Sequence, residues 1–175
     1  MAIRLIAFDV DGSLTDGTIY MNAEGESVKG FSARDGLGLS LAVRMGYIVG
    51  VITGRTSPIV MRRTADLHLH FCQMKVSDKV SVMEELMARH GVSWEEVAYF
   101  GDDWNDLALM KRVAFSGCPA DATEENRAAA DFVSAHRAGY GAARDFIEEI
   151  LKREHRFDEG LQSFLGNGSA EPVRQ

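Results

Sequence analysis

The chain alternates between short apolar runs and amphipathic stretches almost from end to end. Each apolar run has the length of a β-strand and is bounded by Gly, Asp or Ser, and the amphipathic stretches between them are helical in pattern. This alternation is typical of a mostly parallel sheet with helices on both faces. We therefore expect an α/β fold with a Rossmann-like, doubly wound sheet. The predicted strands lie at residues 5–8, 47–52, 69–72, 97–100, 113–116 and 131–134.

A β-hairpin is predicted after the first strand. Two short strand-like runs lie on either side of Asn22-Ala-Glu-Gly25, which has the composition of a turn. The segment interrupts the alternation of sheet strands and helices. We therefore expect it to protrude from the domain as a flap over about residues 18–31.

Charge and cysteine usage exclude several classes of partner. The chain has 19 Lys and Arg against 26 Asp and Glu, and this net charge of -7 disfavours binding to nucleic acid or to an anionic membrane. Cys72 and Cys118 are isolated thiols outside any zinc or disulfide pattern, which favours a reducing compartment. The N-terminal apolar run is too short for a signal peptide, and no stretch approaches a transmembrane span. We predict a cytoplasmic protein without nucleic-acid or membrane partners.

Two acidic residues, Asp9 and Asp11, directly follow the first predicted strand. Because the carboxyl ends of parallel strands form the ligand crevice of such a sheet, both side chains are expected to project into it. This spacing allows one carboxylate to act as a nucleophile and the other as a general acid/base on the same bond. An Asp-Val-Asp-Gly segment is equally typical of a plain turn, so the pair alone leaves both interpretations open.

A second acidic cluster, formed by Asp102, Asp103 and Asp106, follows the predicted strand at 97–100. Carboxylate oxygens beside Asp9 would suit Mg²⁺, and three acidic groups so close together repel one another unless a cation lies between them. The alternative is a helix N-terminus enriched in Asp, which accounts for one of the three better than for all of them.

Two further strand ends carry polar groups. Thr53 and Gly54 follow the strand at 47–52, where a hydroxyl and a backbone turn can cradle a phosphate. Lys79 opens a helix, a position unfavourable for a cation unless an anion lies nearby. Each residue taken alone is also explained as a turn or surface residue. Together, four consecutive strand ends carry Asp/Asp, Thr, Lys and an Asp cluster, which indicates one phosphate site.

The order Asp-x-Asp-Gly, Thr-Gly, Lys and Gly-Asp-Asp-x-x-Asp over residues 5–106 resembles the four motifs of the haloacid dehalogenase superfamily of phosphatases. This resemblance implies that Asp9 is the nucleophile, which forms an aspartyl-phosphate. It also implies that Asp11 protonates the leaving oxygen and then activates water.

The same resemblance implies the remaining parts of the site. Thr53 and Lys79 would bind the phosphoryl oxygens. Asp102 would hold Mg²⁺ together with the carboxylate and the backbone carbonyl of the two acidic residues in the first motif. Asp103 and Asp106 would be supporting metal ligands or would orient the lysine.

Spacing narrows the resemblance to the members without a cap domain. A domain needs at least about 50 residues, and neither residues 17–46 nor residues 54–78 leave that room. We expect one phosphatase domain over residues 1–153, with a site that is open in the monomer and shaped by a neighbouring subunit. Residues 154–175 are predicted to form a C-terminal tail that is mobile or docks on that neighbour.

Within the cap-less group the chain is similar to the family of 3-deoxy-D-manno-octulosonate 8-phosphate phosphatases. The similarity rests on Gly25-Glu-Ser-Val-Lys-Gly-Phe31, Arg34-Asp-Gly36 and Gly139-Tyr-Gly-Ala-Ala-Arg144, with a departure at Met74, where the family commonly has Gly. It implies a homotetramer that hydrolyses this sugar-acid phosphate in the synthesis of lipopolysaccharide precursors.

Arginines are the candidates for holding the sugar carboxylate, because the guanidinium group matches a carboxylate with two hydrogen bonds. Arg55 and Arg63 are placed for this role, although Arg63 fits a solvated helix face equally well. By resemblance, Arg55 after Thr-Gly favours the eight-carbon sugar acid over a nine-carbon keto-deoxy sugar acid 9-phosphate. The other alternative is a receiver-like phospho-acceptor domain without enzyme activity. The position of Asp11 favours turnover instead.

Overall fold

The computed structural model describes residues 2–165. Six parallel strands form one sheet in the order β5-β4-β1-β6-β7-β8, and two antiparallel strands form a separate hairpin. The doubly wound α/β prediction is therefore confirmed. The strands are β1 (Leu5–Phe8), β2 (Tyr20–Asn22), β3 (Gly25–Val28), β4 (Ile48–Ile52), β5 (Phe71–Gln73), β6 (Val97–Phe100), β7 (Phe115–Cys118) and β8 (Phe132–Val133).

Helices cover both faces of the sheet, as expected from the parallel strand order. They are α1 (Ala33–Arg44), α2 (Pro58–Asp66), α3 (Lys79–His90), α4 (Leu107–Met110), α5 (Glu124–Ala129), α6 (Ala142–Arg153) and α7 (Phe157–Leu165). Local signals set several of the ends. The Ser57 hydroxyl accepts the Val60 amide at the start of α2, and Gly91 ends α3 in the left-handed region with a φ of 62°.

The core has one layer on each face of the sheet. On one face α6 packs beside α1, and the Phe146 ring lies at the centre, stacked on Phe115 with 5.2 Å between the ring centroids. On the other face α3 contributes Met83 and Leu86, which pack with residues of β1 and β6. All residues of β1 and β6 are buried, so their side chains lie in a close-packed interior. These two strands are therefore a rigid base for the residues that follow them.

The hairpin of β2 and β3 lies where the sequence predicts the flap. Its apolar side chains Ile19, Tyr20, Met21 and Val28 are exposed. The intervals 17–46 and 54–78 contain only the hairpin, α1, α2, β5 and connecting turns, so neither interval holds a cap domain. Within residues 2–165, no helix combines the length and the apolar character needed to cross a membrane.

The structure differs from the expected C-terminal tail at its beginning. Residues 157–165 form α7, and Phe157 and Phe164 pack against the core of their own chain. Gly160 allows the close approach, because a Cβ there would lie 3.3 Å from Leu151 Cδ1. The apolar spacing of Phe157, Leu161 and Phe164 is the helical signal among the polar residues. The rest of the predicted tail, with Gly166-Asn-Gly168, lies outside the described residues.

Candidate active site

The carboxyl ends of the central strands form the site. The chain runs from β1 outward through β4 and β5 and then returns to β6 on the other side of β1. A crevice opens at such a switch point, beyond the carboxyl ends of the strands. It is a cleft of about 130 Å³. The lining residues are Asp9, Asp11, Thr53, Gly54, Arg55, Asp103 and Asn105.

Asp9 is buried at the base of this cleft, and its amide donates to the Phe100 carbonyl across β1 and β6 at 2.8 Å. The Lys79 Nζ lies 2.5 Å from Asp9 Oδ1. The same ammonium is 2.6 Å from Asp106 Oδ1 and 3.1 Å from the Tyr99 hydroxyl. The lysine that opens α3 therefore has two anionic partners, which explains a cation at the start of a helix.

Burial and neighbouring charges together shift the pKa values of Asp9, Lys79 and Tyr99. It raises the pKa of Asp9 well above its usual range, against the attraction of Lys79, and the negative charge of Asp106 raises it further. Burial alone would lower the pKa of Lys79, but its ion pairs with Asp9 and Asp106 outweigh that effect and raise it. Burial and the same two carboxylates raise the pKa of Tyr99 well above its usual range. Lys79 is therefore charged and Tyr99 is a neutral donor at neutral pH.

Asp9 and Asp102 provide the oxygen atoms that fit a divalent cation. One oxygen each from Asp9, Asp102 and Asp106 lies within 4.8 Å of the others. Gly12 allows the turn after β1 to approach Asp102, because a Cβ there would lie 2.1 Å from Asp102 Oδ2 and the residue has a φ of +95°. Carboxylate and carbonyl oxygens suit Mg²⁺, so the donor set fits the predicted metal.

Both carboxylate oxygens of Asp106 have partners within the protein. Its Oδ1 contacts Lys79 and accepts the Tyr99 hydroxyl at 2.5 Å. Its Oδ2 accepts the backbone amides of Asp102 and Asp103 at 3.0 and 3.2 Å. With both oxygens engaged, Asp106 orients the lysine and the loop. Of the two alternatives from the sequence, the geometry therefore favours the orienting role over the metal ligand.

Asp103 is exposed and caps the short helical turn at residues 104–106. Its Oδ1 accepts the Trp104 amide at 2.7 Å. It lines the cleft but is not part of the group of close carboxylate oxygens. Its supporting role at the metal therefore stays a prediction.

The two predicted arginines lie in different places. Arg55 lines the cleft, and its Nε is 3.8 Å from Asp11 Oδ2. Arg63 does not line it; its guanidinium lies over the Phe31 ring, 5.7 Å from the centroid. Thr53 is buried in the turn before Arg55, with its Oγ1 accepting the Arg55 amide at 3.3 Å. Residues 53–55 therefore form one wall of the cleft, and Arg63 is not among the residues that line it.

Sequence reasoning did not assign roles to three residues of the site. Tyr99 points inward from β6, where a hydroxyl in an apolar run is the available signal. Lys29 and Glu26 come from the hairpin: Lys29 forms an ion pair with Asp11, and Glu26 accepts the Ser57 hydroxyl. Neither hairpin residue follows a strand of the parallel sheet. The expectation that polar residues at the carboxyl ends of parallel strands form the site therefore does not identify them.

Known proteins share this fold and much of the sequence. A family model for haloacid dehalogenase-like hydrolases matches residues 63–144. The 3-deoxy-D-manno-octulosonate 8-phosphate phosphatase of Escherichia coli K12 is 37% identical over 157 residues, which cover 90% of this chain and 84% of that protein.

Two solved structures extend the comparison to bound metals. One is the 3-deoxy-D-manno-octulosonate 8-phosphate phosphatase of Moraxella catarrhalis in complex with a magnesium ion, a phosphate ion and KDO. It matches with a TM-score of 0.88 at 36% identity, over 93% of each chain. The other is the cobalt-bound deoxy-D-mannose-octulosonate 8-phosphate phosphatase of Haemophilus influenzae. It matches with a TM-score of 0.87 at 35% identity, over 91% of this chain and 96% of that one.

Proposed function

The chain belongs to the haloacid dehalogenase-like hydrolases, in the family of the 3-deoxy-D-manno-octulosonate 8-phosphate phosphatases, and we propose that it hydrolyses this sugar-acid phosphate with Mg²⁺. The observation that carries the proposal is the buried Asp9–Lys79 pair beside Asp102 in the cleft. The relative that shares this fold over 93% of its length was solved with magnesium, phosphate and KDO. The products would be free 3-deoxy-D-manno-octulosonate and inorganic phosphate.

In the proposed reaction Asp9 attacks the phosphorus atom, and the bond from phosphorus to the sugar oxygen breaks. Asp11 gives its proton to that leaving oxygen, and an aspartyl-phosphate remains on Asp9. Asp11 then takes a proton from a water molecule whose oxygen attacks the phosphorus, which frees Asp9 and releases phosphate. Two carboxylates two residues apart therefore serve both half-reactions.

The other residues hold charge and position. Lys79 is fixed beside Asp9 and would bind a phosphoryl oxygen, and Thr53 would donate its hydroxyl to another. Asp9, Asp102 and the Asp11 carbonyl would hold Mg²⁺, which neutralises phosphoryl charge when it is bound. Phosphoryl transfer depends mainly on positioning and charge neutralisation, and these are the two contributions that we propose for these groups.

Arg55 is the proposed contact for the sugar carboxylate, because it is the arginine that lines the cleft. Arg63 is not proposed for this contact, because it does not line the cleft and its guanidinium lies over the Phe31 ring. No cap covers the cleft among residues 2–165, so a neighbouring subunit is proposed to complete it. The exposed apolar side chains of the hairpin support a subunit contact there, and the proposed assembly is the homotetramer that the family resemblance implies. The cytoplasmic location stays a prediction.

The test is steady-state phosphate release by the purified protein. We expect turnover of 3-deoxy-D-manno-octulosonate 8-phosphate with added Mg²⁺, loss of turnover with a chelator, and a higher kcat/KM than for a nine-carbon keto-deoxy sugar acid 9-phosphate. A higher kcat/KM for the nine-carbon substrate would reassign the sugar. Stoichiometric phosphate uptake without release would instead support a receiver-like domain.

A further inference from the structure

The hairpin carries one buried lysine. Of residues 18–30, all of which the structure describes, Lys29 alone is buried, with 1% of its side chain exposed. The neighbouring Val28 and the facing strand with Met21 are exposed. Burying an ammonium group is costly unless charged partners compensate, so a lysine in this position needs specific partners.

Its partners are acidic residues of the site. Lys29 Nζ donates a close hydrogen bond to Asp11 Oδ1 and lies 3.1 Å from Glu26 Oε1. The second oxygen of Asp11 is 3.8 Å from Arg55 Nε. The Asp11 carboxylate is therefore held between a cation from the hairpin and a cation from the turn after β4. The hydrogen bond from Lys29 orients this carboxylate toward the cleft, and the Arg55 cation adds an attraction without a hydrogen bond.

Glu26 connects this lysine to the body of the domain. Its Oε2 accepts a close hydrogen bond from the Ser57 hydroxyl. Ser57 is itself buried. Its hydroxyl oxygen also caps α2, where it accepts the Val60 amide at 3.2 Å. The chain of contacts therefore runs from the N-terminus of α2 through Glu26 to Lys29. These contacts connect the hairpin to the N-terminus of α2.

We propose that Lys29 is a positioning residue that aims the Asp11 carboxyl group at the ester oxygen, and that Glu26 anchors Lys29 to Ser57. The inference rests on the proposed phosphatase function, in which Asp11 is the acid/base. Lys29 acts through Asp11. Its loss should therefore affect the step that needs proton transfer more than the binding of substrate.

The test compares leaving groups. A sugar alkoxide needs a proton in order to leave, whereas p-nitrophenolate leaves with little help. Lys29→Met removes the ammonium and keeps the length of the side chain. We expect kcat with 3-deoxy-D-manno-octulosonate 8-phosphate to fall by about tenfold to a hundredfold, with p-nitrophenyl phosphate changed by less than about threefold. KM should change by less than about twofold, and Lys29→Arg should recover part of kcat.

The controls separate this role from others. Glu24→Gln removes an exposed carboxylate from the same hairpin and should leave both substrates unchanged. Equal losses on the two substrates would mean a structural role, and a raised KM with unchanged kcat would mean sugar binding. Unchanged kinetics, like either of these results, would overturn the inference.

A second variant covers a failure to fold. If circular dichroism shows that Lys29→Met is unfolded, Glu26→Gln retains the lysine but weakens its anchor. Like Lys29→Met, it should lower the ratio of sugar-phosphate turnover to aryl-phosphate turnover. An unchanged ratio would overturn the inference. A wild-type protein that hydrolyses other alkyl phosphates but not the proposed sugar phosphate would refute the substrate alone. The leaving-group comparison then uses that alkyl phosphate.

Discussion

Lys79 and Asp106 form a buried ion pair, with 2.6 Å between Nζ and Oδ1. The second oxygen of Asp106 accepts the amides of Asp102 and Asp103. One side chain therefore fixes the lysine at the start of α3 and also the loop that carries the proposed metal ligand Asp102. This arrangement joins phosphate binding and metal binding through a residue that touches neither ligand in the proposed reaction.

Asp106→Asn should destabilise the protein. The amide cannot accept from the lysine and from both backbone groups at once, and Lys79 would keep only Asp9 as its charged partner. Removing one member of a buried pair costs about 3–5 kcal/mol, and we expect the lower end because Asp9 remains. Urea denaturation measures the free energy of unfolding. Asp103→Asn is the exposed control, and a loss at Asp106 as small as at Asp103 would contradict the orienting role.

Asp9→Asn should abolish phosphatase activity without unfolding the domain. The amide has the same shape but cannot form the aspartyl-phosphate, so kcat should fall by about a thousandfold or more. Because Asp106 remains as the charged partner of Lys79 and the amide has the shape of the carboxylate, the domain should stay folded, with a lower thermal midpoint than the wild type. Circular dichroism checks the fold. A variant that keeps a tenth of the wild-type rate would remove Asp9 from the role of nucleophile.

Mg²⁺ binding should tighten as the pH rises. Burial, helped by the negative charges of Asp106 and Asp103, raises the pKa of Asp102 to about 7. Below that pH the cation must displace a proton, and above it the carboxylate is already free. We expect affinity to increase by about tenfold from pH 6 to pH 8, with proton release that is largest at the acidic end. Titration calorimetry in two buffers of different ionisation enthalpy measures both quantities.

Asp102→Asn provides the matched control for the metal experiment. It should remove most of the affinity and the part of the proton release that comes from Asp102, since the amide has no proton to lose. Equal affinity of the wild-type protein at pH 6 and pH 8 would show that Asp102 does not hold the cation.

Met21→Glu should dissociate the proposed tetramer. Met21 is 67% exposed on the hairpin, and symmetric subunit contacts would bring copies of the new carboxylate together. Sedimentation velocity should show a lower mass, and activity per chain should fall because a neighbour is proposed to complete the cleft. Glu24→Gln is the control on the same hairpin. A wild-type protein that sediments as a monomer would refute the proposal directly.

Truncation after Leu165 should change the kinetics while keeping the fold. Residues 157–165 pack on the core through Phe157 and Phe164, so a cut within α7 would mix lost packing with lost function. Removing only residues 166–175 avoids this problem. We expect altered kcat or KM for the sugar phosphate with an unchanged melting temperature. Unchanged kinetics would show that these residues have no part in the reaction.

The strands and the order of the catalytic motifs could be predicted because their signals are local. An apolar run of four residues such as Leu5–Phe8 is recognised from its neighbours alone. Because parallel strands all end at the same edge of the sheet, the polar residue that follows such a strand is expected in the crevice at that edge. Asp9, Thr53, Lys79 and Asp102 were located in this way, and the structure brings them together.

The sequence by itself determined the sheet, the flap and the chemical groups at the strand ends. Only the tertiary structure decided that Lys29 reaches Asp11, that Asp106 turns to Lys79, and that Arg63 lies over Phe31. Each of these contacts joins residues 18 or more positions apart. Such contacts depend on where a flap folds and which rotamer the surrounding packing allows. Local periodicity predicts neither the position of the flap nor these rotamers. It indicates which face of a helix or strand is buried, but not which distant residues lie against that face.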